Sequence, residues 1–214
     1  MAPSLSNAWA RPRVFPALPD KPAVAPGAHR AIMGEASLHS PALLLLAAFS
    51  RHGEALDWTR RRAVAEWGPL ALESPVFEFR ETQYYERTMG TGLRKVFFLC
   101  ERLFDPSQLP GVKLQTNAWE QEYALTAGAE EPRPLNLDPG YLTLAKLVLA
   151  STKDHSHRLY LAEGIYAEVT LYYSQRRWQA REWTYADYRR ADYQEFFSQG
   201  REYLHARLRE AETA

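Results

Sequence analysis

The sequence predicts an α+β fold built on a mixed or antiparallel sheet, and three observations carry that reading. The run Ala42 to Phe49 is apolar throughout and of strand length, as expected of a central strand buried on both faces. From Pro41 to Leu137 the hydrophobic patterning follows the order βαββαβ, the connectivity of a ferredoxin-like fold. Ile165 to Tyr173 then alternates cleanly: Ile165, Ala167, Val169 and Leu171 share one face, and Tyr166, Glu168, Thr170 and Tyr172 share the other.

The 214 residues give room for one ordinary domain. Residues 1–40 stand apart. Pro3, Pro12, Pro16, Pro19, Pro22 and Pro26 break any helix or ladder, and the stretch reads as a disordered, mildly basic tail, with Met33 an alternative start. A single domain is expected over 41–214. Lys+Arg and Asp+Glu are both 26, and this zero net charge argues against strong nucleic-acid binding, which needs a cationic excess. No apolar stretch reaches the ~20 residues that span a bilayer, so no membrane role is expected and a cytoplasmic location is the default. The lone Cys100 lies in the run Val96 to Cys100 and reads as a core residue.

The elements follow in order. Glu54 to Trp67 reads as a helix, with Leu56, Ala63, Val64 and Trp67 at helical spacing. Arg60, Arg61 and Arg62 within it point in different directions and read as a solvated face. Gly68-Pro69 ends the helix, and Leu70 to Phe79 is a strand interrupted at Pro75, placing it at an edge or bulge. Glu81 to Gly92 is a long polar and aromatic connection with room for one helical turn, and Leu93 to Phe104 is a further strand. Asp105-Pro106 supplies an N-cap and a first-turn proline before a helix over Val112 to Ala127, whose apolar stripe is Leu114, Ala118 and Leu125 flanked by Val112, Trp119 and Tyr123. Arg133 to Leu137 is the next strand. Asp138-Pro139 repeats the helix-start signal, so Tyr141 to Lys153 reads as a buried helix with Thr143, Lys146 and Lys153 on one side; a strand over Leu142 to Leu149 stays open. A hairpin follows, Leu159 to Leu161 with Ile165 to Tyr173, then a strand over Trp178 to Trp183. A last helix starts near Asp192 and buries Tyr193, Phe196, Phe197, Gly200, Leu204 and Leu208.

No phosphate-loop, dinucleotide, nucleophile-elbow, zinc-protease or kinase pattern occurs. In an extended segment His155 and His157 would face the same way and offer two imidazoles, but a zinc site takes at least about three protein ligands. No residue is assigned to a metal, and no cofactor is named. Lys146, Lys153, His157 and Arg158 together make a cationic set for phosphate or carboxylate, with Arg158 offering a planar fork. The opposing reading pairs Lys146 and Arg158 with Asp138, Asp154 or Glu168. Glu168, mid-strand among tyrosines, is either solvated or held in a pocket as a general acid or base. Thr82, Tyr84, Tyr85 and Glu86 are placed to line the same cleft.

The segments YYERTMGTGL, KLQTNAWE, LNLDPGYLTLAKLVLASTKDHSHRLYL, GIYAEVTLYY and WTYADY resemble the uncharacterised bacterial family numbered 4416 in the domain-of-unknown-function series, over about residues 41 to 201. Some members carry the label GTP-binding protein, which implies a nucleotide ligand. The family pattern falls on Thr82, Tyr85, Met89, Gly90, Lys113, Thr116, Asn117, Asn136, Asp138, Gly140, Lys146, Lys153, Asp154, His157, Arg158, Tyr160, Glu168, Trp183 and Tyr188. Gln83 replaces an acidic residue of the pattern, and His155 matches no fixed position.

The expected function is binding of a small anionic or nucleotide-like ligand, with or without chemistry on it. Lys146, Lys153 and Arg158 hold the ligand beside Thr82 and Tyr85, while Asp138, His157 and Glu168 orient it or move protons. The alternative is a non-enzymatic module that docks protein or RNA through the tail or through a sheet face bearing Tyr166 and Tyr172.

Overall fold

The computed structural model describes His39 and residues 41–213. The proline-rich front and the Met33 start lie outside the described residues. The elements are β1 (Ala42–Ser50), α1 (Gly53–Trp67), β2 (Leu70–Glu73), β3 (Phe77–Glu78), α2 (Glu86–Met89), β4 (Arg94–Phe104), α3 (Leu109–Thr126), β5 (Asn136–Leu142), β6 (Lys146–Ser151), β7 (Leu159–Ala162), β8 (Ile165–Ser174), β9 (Arg177–Ala180) and α4 (Ala191–Thr213). Short 3-10 turns cover Pro106–Gln108 and Asp187–Arg189.

The nine strands form one sheet of order β2-β4-β1-β5-β6-β8-β7, with β3 beside β4 and β9 beside β8. Every pairing is antiparallel. β1 lies deep within it and is buried along its whole length, as its unbroken apolar run requires. Its side chains alternate between two cores. Leu43, Leu45 and Ala47 join Phe97, Leu99, Tyr193, Phe197 and Leu204 beneath α4. Leu46 and Ala48 join Ala55, Leu56, Trp119 and Tyr123 beneath α1 and α3. The sheet is therefore the middle of three layers. Pro75 splits the predicted second strand into β2 and β3, both at the β4 edge. Asp105 accepts from the Ser107 backbone N–H at 2.8 Å, as a capping residue does. Cys100 is buried, and burial pushes its thiol up to about 12. No helix among the described residues is long and apolar enough to cross a membrane.

The predicted helix over Tyr141 to Lys153 is instead the β5–β6 hairpin. Thr143 makes the turn: its Oγ1 accepts from the Ala145 and Lys146 N–H groups at 3.2 and 3.1 Å. Leu147 to Ala150 is buried on both faces, and such a run carries no alternation to distinguish strand from helix. Pro139 does not start a helix either. It sits inside β5 opposite Leu46, at a position whose outward edge no strand covers, so its missing N–H leaves nothing unpaired. The stripe assigned to α3 is also rotated. Leu114 and Leu125 are exposed, and the buried face is Leu109, Val112, Lys113, Thr116, Trp119 and Tyr123. Asp192 lies one residue inside α4, where its carboxylate pairs with Arg190 at 2.6 Å and accepts from the first-turn Tyr193 N–H at 2.9 Å.

The loop into β5 is fastened to the end of β1. Glu131 lies 2.7 Å from Arg51 Nη1 and 2.9 Å from His52 Nε2. The His52 hydrogen bond, ahead of the one from Arg51, draws the Glu131 carboxyl down to about 2 from 4.5. A lowered folded-state pKa contributes stability above the unfolded value and loses it as pH falls through the folded one. Chemical denaturation across pH 5 to 2 should therefore show an acid-dependent loss that is smaller in Glu131→Gln.

At Gly140 an added Cβ would lie 2.1 Å from the Val148 carbonyl oxygen, because β5 and β6 approach closely there. Gly140→Ala should cost about 1–3 kcal/mol in urea denaturation through overpacking. Gly111, in the first turn of α3 with open space around its Cβ direction, should instead gain up to about 1 kcal/mol on replacement by Ala.

Candidate functional site

β5 and β6 pair only from Gly140↔Leu149 to Leu142↔Leu147. Beyond that point they part. β5 continues against β1 to Asn136, while β6 continues against β8 to Ser151. The wedge between them opens a cleft of about 680 Å³, a volume typical of small-molecule sites. Its walls are the inner face of α3, the diverging ends of β5 and β6, the segment 79–85 and the segment 185–188.

The strand edge of β5 left bare by β6 is covered by side chains of α3. Glu120 Oε1 accepts from the Leu137 N–H at 2.7 Å, and Lys113 Nζ donates to the Leu137 carbonyl at 2.8 Å. Lys113, Asn117 and Glu120 stand four and three residues apart, hence on one helix face. From Glu120 a polar chain runs back to the cleft. Arg133 donates to Glu120 Oε2 through Nε and Nη2, and to Asn136 Oδ1. Asn136 Nδ2 then donates to Asp138 Oδ2 at 2.8 Å. Among the described residues Asp138 Oδ1 keeps only Lys113, at 3.7 Å. Burial holds the Glu120 carboxyl above its usual range, against the opposing charges of Lys113 and Arg133.

The β6–β8 wall is held by Arg158. Its Nε donates to Glu168 Oε2 at 2.8 Å, Nη1 to Ser151 Oγ and the Lys153 carbonyl, and Nη2 to the Tyr185 hydroxyl at 2.6 Å. Glu168 also meets His157 Nε2 at 3.0 Å and accepts from Thr170. His157 stacks on Trp183. Burial, with the charge of Glu168 behind it, pushes the Tyr185 phenol up to about 12. On the third wall, Lys95 pairs with Asp187 at 2.6 Å, both buried. Its ammonium lies 4.5–5.9 Å from the rings of Phe49, Phe79, Phe97, Tyr188 and Tyr193. At the outer rim, Lys153 Nζ donates to the Tyr84 hydroxyl at 3.3 Å and lies 5.1 Å from its ring.

Of the sequence-selected residues, Thr82, Tyr85, Asp138, Lys153, Arg158 and Glu168 all line this one cleft. His157 reaches it only through Glu168. Lys146 is not brought in. It is exposed at the hairpin end of β6, about 17 Å along the strand from Ser151 at the usual rise per residue. It groups with the other cations because they lie in one stretch of sequence, and the hairpin carries it to the far end of β6. Arg158 follows the pairing alternative, spent on Glu168. His155, matching no fixed position of the family pattern, does line the cleft. Among the described residues no group of three or more His, Cys, Asp or Glu could hold a metal ion.

Lys95, Glu120, Arg133, Tyr185 and Asp187 belong to the walls without having been selected. The visible signal for α3 was the spacing of Lys113, Asn117 and Glu120 on its buried side. Nothing local marks Lys95 and Asp187, which are separated by 92 positions.

A three-layer α+β domain with a cleft opened inside its sheet is thus the class of protein defined by fold and site. The chain belongs to the family described as Domain of unknown function (DUF4416), whose model matches residues 40–203. No curated protein and no solved structure matches the chain.

Arg158 and Glu168 have side chains only 3% and 2% exposed. Glu168→Ala strands a buried guanidinium and should cost about 3–5 kcal/mol by urea denaturation. Replacing both residues together, Arg158→Leu with Glu168→Met, should recover much of that loss.

Proposed function

We propose that the cleft binds a small anionic ligand of nucleotide size. One observation carries this reading, the balance of polar groups that internal pairing leaves unspent. Lys95, Arg133 and Arg158 are taken by Asp187, Glu120 and Glu168. What remains on the walls is rich in donors. Among the described residues the Lys153 ammonium meets only the hydroxyl and ring of Tyr84. Lys113 spends one N–H on Leu137. The Asn117 carboxamide is used by no hydrogen bond among the described residues. Burial first, and the charge of Asp138 next, hold the Tyr85 phenol protonated as a further donor. A group with several acceptor oxygens, such as a phosphate, matches that surplus. Tyr84, 68% exposed at the rim, supplies a ring on which a planar base can stack.

Glu168 has its oxygens filled by Arg158, His157 and Thr170, so it serves the wall rather than proton transfer. Asp138 is the carboxylate turned toward the ligand. On this reading the cleft's task is recognition.

Thermal-shift titration with inorganic phosphate and nucleoside mono-, di- and triphosphates tests the reading. Stabilisation at millimolar ligand or below is expected, and Lys153→Glu should abolish it without lowering the melting temperature of the free protein. Silence from every one of these anions would end the proposal.

The interaction-module alternative draws on β7 at the sheet edge, where Leu159, Tyr160 and Leu161 are exposed. Of the sheet-face tyrosines, Tyr166 packs on Tyr160, and Tyr172 is roofed by Arg181 at 3.8 Å. A salt-sensitive shift of RNA would favour it.

A further inference from the structure

The donor surplus has one exception, and it bears on which anion the cleft takes. Five carboxylates line the walls: Glu81, Glu120, Asp138, Glu168 and Asp187. Glu81 receives Arg190 and the Arg80 N–H. Glu120 and Glu168 are filled as described, and the Asp187 side chain is only 6% exposed, against Lys95. Asp138 is the most exposed of the five, at 30%. Its Oδ2 is fixed by Asn136, and that amide is itself held by Arg133. The second oxygen is thereby presented to the cleft in a set orientation. Beside it lies the Lys113 ammonium at 3.7 Å, and one helical turn along α3 Asn117 lines the same cleft with its carboxamide in no hydrogen bond among the described residues. The charge of Asp138 also helps keep the Tyr85, Tyr185 and Tyr188 phenols protonated, as expected if all three surround it. Tyr188 lines the same cleft, and its hydroxyl is buried without a hydrogen-bond partner among the described residues.

An acceptor oxygen ringed by donors discriminates between ligand groups. A bare oxyanion placed there would be repelled by Asp138. A ligand ammonium would be attracted by Asp138 and repelled by Lys113 beside it. A hydroxyl satisfies both, because it donates one hydrogen bond and accepts others. We propose that Asp138, Lys113 and Asn117 form a hydroxyl-binding subsite, so that the ligand is a polyol phosphate of the sugar-phosphate class. This rests on the anion-binding reading above: the phosphate goes to Lys153 and the remaining donors, and the sugar hydroxyls go to Asp138. Sugar phosphates free in solution and the ribose phosphate of a nucleotide share this chemistry.

Isothermal titration of the full chain with inorganic phosphate, propyl phosphate, glycerol 3-phosphate, ribose 5-phosphate and adenosine monophosphate tests it. Glycerol 3-phosphate and propyl phosphate share a carbon skeleton and differ in two hydroxyls. The diol should bind at least about tenfold more tightly, because a site built to bond a hydroxyl rejects the analogue that lacks it. Ribose 5-phosphate should do at least as well, and a further gain for adenosine monophosphate would assign the source to a nucleotide. Asp138→Ala should bring the diol-to-propyl ratio near one, through loss of the hydroxyl contact. Asp138→Asn should do the same with the shape of the side chain preserved, since its amide would turn a donor toward Lys113 and the ligand. Equal affinity for the diol and propyl phosphates in the unaltered protein, or a preference that survives both substitutions, overturns the subsite while leaving anion binding intact. Failure of all the phosphates to bind overturns the anion reading, and the subsite with it.

Discussion

The backbone of Leu137 is the point on which fold and cleft both depend. A strand that loses its neighbour exposes an N–H and a carbonyl, and an unpaired buried polar group costs about 1–3 kcal/mol. Here both groups are taken by α3, through Glu120 and Lys113. The helix thus substitutes for the missing length of β6 and allows the sheet to stay open. Without those two side chains, β5 and β6 would gain by closing along their length, and the cavity between them would vanish. The same substitution places α3 close enough to offer Asn117 to the cleft, and it sets the first link of the chain that ends at Asp138.

The opposite wall solves a different problem by similar means. The loop from Thr152 to Arg158 has no ladder to hold it, yet it forms one side of the cleft. Arg158 anchors it by reaching four partners on β6, β8, the loop itself and Tyr185. Burying a charge this deeply is tolerable only because Glu168 neutralises it and the other donors find acceptors. The pair is therefore scaffold. It holds the wall in place and leaves the unpaired polar groups of the cleft to the rim and to α3.

Much of this was legible in the chain. The apolar run of β1, the break at Pro75 and the Asp105 cap each have local causes, and each is present; the alternation of β8 holds from Ile165 to Val169, beyond which a bulge carries Leu171 into the other core. The failure at Tyr141 to Lys153 is equally physical. A strand covered on both faces loses the period that would reveal it, and Pro139 imitates a helix start because it stands where the ladder is interrupted. The hairpin also sets Lys146 at the far end of β6 from the cleft, which its nearness in sequence to Lys153 and Arg158 did not reveal. Asp138, Arg158 and Glu168 line the cleft, because the diverging ends of β5 and β6 and the strand β8 bring one stretch of sequence together there. Lys95 and Asp187 could not be paired from sequence, since their contact arises from packing between β4 and a turn 92 positions away. For α3 the signal was present but was read from the wrong face: Leu114 and Leu125 drew attention outward, while the charged residues pointed in.

An opened sheet has a further consequence for how the chain behaves among other chains. A bare strand edge is a template for any extended segment that can supply a matching row of donors and acceptors. In β5 that row is already occupied at Leu137 and lacks a donor at Pro139. Only a polar, charge-lined recess is left beside it. The wedge offers no continuous row of unpaired groups to a tenth strand, so the device that keeps the cleft open also guards this edge of β5 against strand invasion.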